Sequence, residues 1–198
     1  MSMVRAAITT SVDGYVAGPN DRPGCGLGEG GERLHYWVFG GPWSYDVEPS
    51  GSQADDAGWL EDGMAGVGAV VGGRATYEAA GHWGDENPFG VPMFVVTHRP
   101  QEEPDSGEFR FVGDVERAVV LARDAAGGKD VHVMGGADVI RQALEAGLVD
   151  ELSIIIAPLV LGRGKRLFEG FDTEIELDHK GLRQSRHATF IDYRVRRG

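Results

Sequence analysis

Short apolar runs alternate with segments of helical character along most of the chain. Each run is rich in β-branched residues and ends in turn residues, which is the pattern of a buried strand. Strands are therefore predicted at 4–10, 66–72, 93–97, 109–112, 131–134 and 151–157. Helices are predicted at 53–64, 74–80, 115–126 and 137–146, with one or two further helical turns at 32–39. This alternation is typical of an α/β sheet with parallel strand pairs.

The end of the chain breaks the alternation, because two predicted strands, 173–180 and 187–196, have no helix between them. We expect them to form an antiparallel hairpin at the edge of the sheet. No linker, internal repeat or low-complexity tract interrupts the 198 residues, so we expect a single domain spanning 1–198. Within it, the glycine-rich stretch 19–52 is predicted to be a loop insert.

Composition narrows the possible functions. The chain contains 19 Lys and Arg residues against 31 Asp and Glu residues, which gives a formal net charge of −12. Proteins that bind nucleic acid usually carry a basic face, so we expect no nucleic-acid partner. No apolar run approaches the roughly 18 residues of a membrane span, and the first residues lack the apolar core of a signal peptide. We therefore expect a cytoplasmic protein with no membrane partner.

Metal and disulfide chemistry are disfavoured as well. The sequence has one cysteine, Cys25, which forms neither an internal disulfide nor a CxxC metal site. Its six histidines are scattered without the spacing of metal ligands, so no metal site is predicted. The 31 glycines are roughly double the usual share of about 7%. They should mark turns and close backbone approaches.

Three predicted strands end in residues suited to binding phosphate. These ends are Gly72-Gly73-Arg74-Ala75-Thr76, Thr97-His98-Arg99 and Gly135-Gly136. Ligands of open α/β sheets bind at the carboxyl ends of strands, and free N–H groups at a helix start bind anions. Together the three ends favour a phosphate-rich cofactor. Taken singly, the first is equally consistent with an ordinary capped turn, and His98 with a plain surface histidine.

The order and spacing of these motifs resemble a known family. The chain is similar to the dihydrofolate-reductase-like superfamily, in particular the reductase domain of riboflavin biosynthesis and its stand-alone bacterial relatives. The markers are the stretches 11–18, 73–78, 133–137, 148–152 and 157–168, and the resemblance extends over nearly the whole chain. The resemblance implies a three-layer α/β fold with a central mixed sheet of about eight strands between helices, and antiparallel C-terminal strands.

The resemblance also implies NADPH as the cofactor, with four groups of contacts. Gly73, Arg74 and Thr76 would meet the cofactor phosphates, and Thr97, His98 and Arg99 would lie near the adenosine 2′-phosphate. Met134, Gly135 and Gly136, with Ala137, Asp138 and Val139, would hold the pyrophosphate. Ala7, Gly14, Tyr15 and Val16 would flank the nicotinamide. Arginine commonly accommodates a 2′-phosphate, so Arg99 favours NADPH over NADH.

The substrate half departs from the family pattern. The riboflavin enzymes carry a glutamate just before the Gly-Gly pair, where this chain has Met134. Asp13 and Asp56 are the candidate proton donors, with Asp55 as an alternative to Asp56; the opposing interpretation is that the helix carboxylates are simply solvated. Trp37 and Trp43 either wall a pocket for a planar ring or belong to a satellite of the core.

The resulting hypothesis is an NADPH-dependent reductase, similar to 5-amino-6-(5-phosphoribosylamino)uracil reductase. Hydride would pass to a heterocyclic substrate or to a small carbonyl or imine substrate. The alternative is a non-catalytic protein that binds NADPH or another phosphorylated ligand on the same fold. Apolar residues in 153–156 and 190–195 lead us to expect a homodimer.

Overall fold

A computed structural model describes residues 2–47, 56–172 and 174–196. Its strands are β1 (Val4–Ser11), β2 (Tyr15–Ala17), β3 (Val67–Gly73), β4 (Met93–Val96), β5 (Phe109–Val112), β6 (Asp130–Gly135), β7 (Glu151–Ala157), β8 (Lys165–Arg166), β9 (Leu177–Gln184) and β10 (Thr189–Val195). Its α-helices are α1 (Tyr36–Phe39), α2 (Ala57–Ala65), α3 (Arg74–Ala79), α4 (Val115–Ala125) and α5 (Ala137–Glu145). Short 3-10 turns lie at Glu32–His35, Gly81–Asp85 and Pro100–Glu102.

Eight of these strands form one mixed sheet in the order β5-β4-β3-β6-β1-β7-β10-β9. The pairs from β5 to β7 are parallel, whereas β10 is antiparallel to both β7 and β9. The predicted α/β fold with a central sheet of about eight strands and an antiparallel C-terminal hairpin is therefore confirmed. The strands β2 and β8 pair with each other outside this sheet, and β8 has no counterpart among the predicted elements.

The final hairpin lies further along the chain than predicted, because β9 begins at Leu177 instead of at 173. The turn between β9 and β10 fixes this register. The Ser185 hydroxyl accepts hydrogen bonds from the backbone N–H groups of His187 and Ala188, and the Ser185 N–H donates to the Ala188 carbonyl. Strand pairing therefore extends up to Gln184, which faces Thr189.

Apolar side chains cover both faces of the sheet. On one face, α4 and α5 pack on the centre, where Val4, Val131 and Val133 are fully buried. On the opposite face, one cluster centred on Tyr77 covers the β3–β5 side, and a second, centred on Trp37, covers β7 and β10. Alternation along β1 separates the faces, because Ala6 belongs to the first and Ala7 packs in the Trp37 cluster.

The glycine-rich stretch predicted as a loop is a loop over residues 19–31, and the helical turns predicted at 32–39 are present. Residues 48–55 lie outside the described ranges. Gly18 shows why glycine is needed here: a Cβ at this position would lie 2.1 Å from the carbonyl oxygen of Glu29. In the described ranges, no helix is long and apolar enough to cross a membrane.

The start of α4 offers a test of local stability. Asp114 accepts a hydrogen bond of 2.7 Å from the Arg117 N–H, as expected of an N-cap. We predict that Asp114→Ala lowers the free energy of unfolding by about 1 kcal/mol, because this N–H loses its partner. The exposed Asp124 lies on the same helix, so Asp124→Ala is the matched control. Equal denaturant midpoints for the two variants would contradict the capping role.

Candidate functional site

The two glycine-rich turns that follow β3 and β6 pack against each other at the carboxyl edge of the sheet. β3 and β6 are parallel neighbours, and Gly72 lies opposite Gly135. A Cβ at Gly73 would lie 2.9 Å from Cγ2 of Val139, and a Cβ at Gly136 would lie 3.1 Å from the Thr76 hydroxyl oxygen. The structure thus brings two of the three strand ends together, with little space for side chains between them.

The third strand end adds a second arginine to this edge. Arg99 follows β4 and shares two carboxylates with Arg74, the first residue of α3. Glu78 Oε1 lies 2.7 Å from Arg74 Nε and 3.3 Å from Arg99 Nη2. Glu102 Oε2 lies 3.0 Å from Arg74 Nη2 and 3.3 Å from Arg99 Nη1. The four side chains form a compact cluster of two positive and two negative charges.

One nitrogen of this cluster has no partner. Arg74 Nη1 is buried and makes no hydrogen bond within the described part of the chain. The guanidinium lies over the Phe111 ring, with Cζ 5.0 Å from the ring centroid, which holds it in place. A buried donor without an acceptor costs free energy, so this nitrogen is suited to donate a hydrogen bond to an oxygen of a bound anion.

The start of α5 supplies further donors. Gly136 caps this helix without a side-chain hydrogen bond, so the first N–H groups of α5 remain available to a ligand. Ala137 and Val139 are buried in the core cluster and offer only their backbone. Asp138 is exposed and is bonded to Arg141 and Gln142. Together with Arg74 Nη1 and the glycine turns, these features fit a phosphorylated dinucleotide.

Three further residues predicted to bind the cofactor differ in their exposure and in the groups that they contact. Thr97 is buried, and its hydroxyl accepts the Arg99 N–H at 3.1 Å, so it holds the turn that carries Arg99. His98 is exposed on that turn. Met134 is half-buried and packs with the Tyr77 cluster on the sheet face opposite α5.

The residues predicted to flank the nicotinamide surround the end of β1. Tyr15 is buried under the Arg166 guanidinium, whose Cζ lies 4.5 Å from the ring centroid, and its N–H donates to the Ser11 hydroxyl at 2.9 Å. Gly14 has φ +84°, a conformation that glycine adopts without strain. Val16 packs on the α4–α5 side of the sheet, whereas Ala7 packs on the other side.

Asp13 fixes a loop, and its environment is unsuited to the predicted role of proton donor. Its carboxylate accepts hydrogen bonds from the Ser11 hydroxyl at 2.6 Å and from the N–H groups of Leu161 and Gly162 at 3.0 and 2.7 Å. The Ser11 bond contributes most to lowering the pKa of Asp13 from 3.8 to about 2; the two N–H bonds add to this effect and desolvation opposes it. Near neutral pH the carboxyl group therefore carries no proton to donate.

Asp56 is buried in an ion pair, which corrects its interpretation as a solvated helix carboxylate. The side chain is 2% exposed, and Oδ1 lies 2.8 Å from Nη1 of Arg183 on β9. The Arg183 guanidinium stacks on Phe190 with Cζ 3.9 Å from the ring centroid, and its Nε and Nη2 are buried without partners within the described residues. Asp55 lies outside those residues.

The two candidate pocket tryptophans lie in separate clusters. Trp37 is 5% exposed, donates its Nε1–H to the Thr9 hydroxyl at 3.0 Å, and packs edge-on against Trp59 and Phe190. It is a core residue beneath the Asp56–Arg183 pair. Trp43 is half-buried between Phe39 and Tyr45 and donates to the Glu32 carbonyl.

Sequence reasoning missed Arg183 and Glu102. Arg183 and Asp56 are 127 residues apart and meet only through the pairing of β9 with β10. No local pattern indicates such a pair. Glu102 had a weak local signal, because it follows Arg99 by three residues on a short turn.

The order of the strands and the antiparallel C-terminal hairpin define an α/β protein with the dihydrofolate-reductase-like fold. The chain belongs to the RibD C-terminal domain family, whose model matches residues 2–190. This assignment confirms the resemblance inferred from the motifs.

Similar proteins include two from Bacillus subtilis strain 168. The protein YwjB is 28% identical over 128 residues, which cover 64% of this chain and 73% of YwjB. The protein YyaP is 46% identical over 84 residues, which cover 41% of this chain and 43% of YyaP.

Solved structures share the fold. A putative riboflavin biosynthesis protein from Shewanella sp. PV-4 superposes with a TM-score of 0.73 at 23% identity, covering 98% of this chain and 99% of that one. A pyrimidine reductase-like protein from Corynebacterium diphtheriae gives a TM-score of 0.61 at 18% identity, covering 100% of this chain and 93% of that one.

The hydrogen bonds that the Asp13 carboxylate accepts predict that the stability of the fold depends on pH. Because folding lowers its pKa, ionised Asp13 stabilises the folded chain above about pH 4, and this contribution is lost as the pH falls towards about 2. We predict that Asp13→Asn lowers the free energy of unfolding at pH 7, and that the gap from wild type narrows over this acid range.

Denaturant titrations at several pH values measure this gap. The exposed Asp105 gives a matched control variant, Asp105→Asn. A gap for Asp13→Asn that stays constant from pH 7 to about pH 2 would contradict the linkage.

Proposed function

We propose that this protein is an NADPH-dependent reductase. The observation that carries the proposal is the pair of arginines at the carboxyl edge: Arg74, whose buried Nη1 has no partner in the described part of the chain, and Arg99 beside it. Arginine is suited to the bidentate binding of a phosphate monoester. The neighbouring turns at Gly73 and Gly136 carry no side chains, so their backbone N–H groups are suited to a close approach by a pyrophosphate.

In this proposal each part of the edge binds one part of the cofactor. Arg74 and Arg99 hold the adenosine 2′-phosphate, and the N–H groups at the start of α5 hold the pyrophosphate. Ala7 and the turn at Gly14 flank the nicotinamide at the end of β1. The cofactor, when bound, supplies the hydride, and the protein supplies position and electrostatics.

The substrate lies, in this proposal, on the sheet face that carries Ala7. Ala7, Trp37 and Phe190 pack in one apolar cluster, and Arg183 stacks on Phe190 beside Asp56. The free Nε and Nη2 of Arg183 are donors suited to carbonyl oxygens. We therefore propose a planar heterocyclic substrate, or a small carbonyl or imine, held by Arg183 and Asp56.

The substrate need not be that of the riboflavin pathway. The names of the two structural relatives point to riboflavin biosynthesis and pyrimidine reduction. Met134 stands where the riboflavin enzymes place a glutamate for the pyrimidine, and a thioether accepts hydrogen bonds weakly. We propose a reductase related to those enzymes whose substrate lacks the group that the glutamate binds.

A second candidate is a protein that binds NADPH or another phosphorylated ligand without turnover. The observation that favours it is that both predicted proton donors are engaged, Asp13 by three hydrogen bonds and Asp56 by Arg183. Oxidation of NADPH that depends on an added carbonyl or imine compound would reject this candidate.

We also propose a cytoplasmic homodimer. The backbone of the segments first expected to form it, 153–156 and 190–195, is already paired, because β7 and β10 lie side by side inside the sheet. β9 is the edge strand on that side and carries the exposed Leu182. Sedimentation at micromolar concentration should give a dimer, and a monomer would refute the proposal.

The phosphate assignment predicts the effect of removing either arginine. We expect Arg74→Ala and Arg99→Ala each to weaken NADPH binding by about tenfold or more, since each removes a charge-assisted hydrogen bond to phosphate. NADH, which lacks the 2′-phosphate, should lose much less affinity. Calorimetric titration of each variant with both nucleotides measures the difference.

The control is Arg123→Ala, which removes one exposed arginine from the last turn of α4, at the end of the helix away from the carboxyl edge of the sheet. It should bind NADPH like the wild type. Unchanged NADPH affinity in a variant that lacks both Arg74 and Arg99 would overturn the phosphate site.

A further inference from the structure

The two arginines of the phosphate site already have anionic partners within the chain. Glu78 and Glu102 each contact both Arg74 and Arg99, so the cluster is neutral as it stands. A phosphate that bridges Arg74 and Arg99 through the nitrogens held by these glutamates must therefore replace at least one carboxylate. The positions of the two carboxylates decide which one.

Glu78 is placed to remain. It lies one turn after Arg74 on α3 and contacts Nε, the nitrogen nearest the side-chain stem. That contact leaves the two terminal nitrogens of Arg74 for another oxygen pair. Glu78 thus orients the guanidinium, as expected of an i,i+4 pair on a helix.

Glu102 occupies the position that a phosphate needs. It contacts Nη2 of Arg74 and Nη1 of Arg99, the terminal nitrogens that the two arginines turn towards each other. The other terminal nitrogen of Arg74, Nη1, is buried and has no partner among the residues that the structure describes. Removing the Glu102 carboxylate therefore frees one terminal nitrogen on each arginine.

Glu102 is also better able to move than Glu78. It ends the three-residue 3-10 turn Pro100–Glu102, outside any longer helix or strand, whereas Glu78 lies within α3; the two side chains are almost equally exposed, at 41% and 40%. Rotation of its side chain into solvent breaks two contacts that are only half-buried, and such ion pairs are individually weak.

We propose that Glu102 is an internal anion that occupies the 2′-phosphate position of the proposed NADPH site and competes with the cofactor for Arg74 and Arg99. This inference rests on the proposed NADPH site. A phosphate monoester carries about −1.5 to −2 charges at neutral pH against −1 for a carboxylate, so it displaces Glu102. NADH has no group that does so. Because only a dianionic group displaces it, Glu102 favours the binding of NADPH over that of NADH.

The competition predicts opposite effects for the two glutamates. Glu102→Gln should bind NADPH and adenosine 2′,5′-bisphosphate about three- to tenfold more tightly than wild type, because a competing charge is removed. Glu78→Gln should bind both more weakly, because Arg74 loses its orienting partner. NADH affinity should be the same in Glu102→Gln as in wild type.

Calorimetric titration of the full chain with the three nucleotides measures these affinities. Glu145→Gln, which neutralises an exposed carboxylate at the end of α5, controls for the overall change in charge and should behave as wild type. Glu102→Ala should change NADPH affinity in the same direction as Glu102→Gln, and thermal unfolding checks that each variant is folded.

The outcomes separate this inference from the proposed function. If wild type binds NADPH and Glu102→Gln binds it no more tightly, or gains only as much affinity as Glu145→Gln, the competition is overturned. The proposed NADPH site is then retained. A gain for NADH as large as that for NADPH overturns the competition as well. Failure of wild type and all variants to bind NADPH and the bisphosphate overturns both the site and the inference.

Discussion

The candidate site depends on the contact between two turns on neighbouring parallel strands. β3 and β6 run side by side, so the helices that follow them leave the same edge of the sheet. The contact requires small residues, because a Cβ at Gly73 would lie 2.9 Å from Val139. It places the start of α5 beside the start of α3, the helix that begins with Arg74, at one edge of the sheet.

Charge balance is the second constraint on this edge. The chain carries a formal net charge of −12, so an anionic ligand is repelled by the molecule as a whole and needs local positive charge. The arginines that supply this charge, the half-buried Arg74 and the exposed Arg99, lie beside Glu78 and Glu102, which neutralise them until a stronger anion arrives. Asp13 and Asp56 are likewise matched with local donors, which fixes the loops and the helix around the site.

The sequence allowed most of the fold and half of the site to be predicted, for one physical reason. Strand ends such as Gly72–Arg74 and Gly135–Gly136 are local patterns, and parallel pairing brings them together once the sheet forms. The Asp56–Arg183 pair depends on the register of β9. This strand begins four residues later than predicted, because the turn at Ser185 sets its register. From the sequence, Asp13 is a candidate proton donor. Its hydrogen bond from Ser11 is local, but those from Leu161 and Gly162 cannot be foreseen, because only the folded chain brings these residues to Asp13.

The central claim is that the carboxyl edge of the sheet binds a dinucleotide that carries a 2′-phosphate. Calorimetric titration of the unaltered protein with NADPH and with NADH tests it most directly. The account predicts that NADPH binds about tenfold or more tightly than NADH, as expected for a phosphate held by two arginines. Equal affinity for the two nucleotides, or binding of neither, would contradict it.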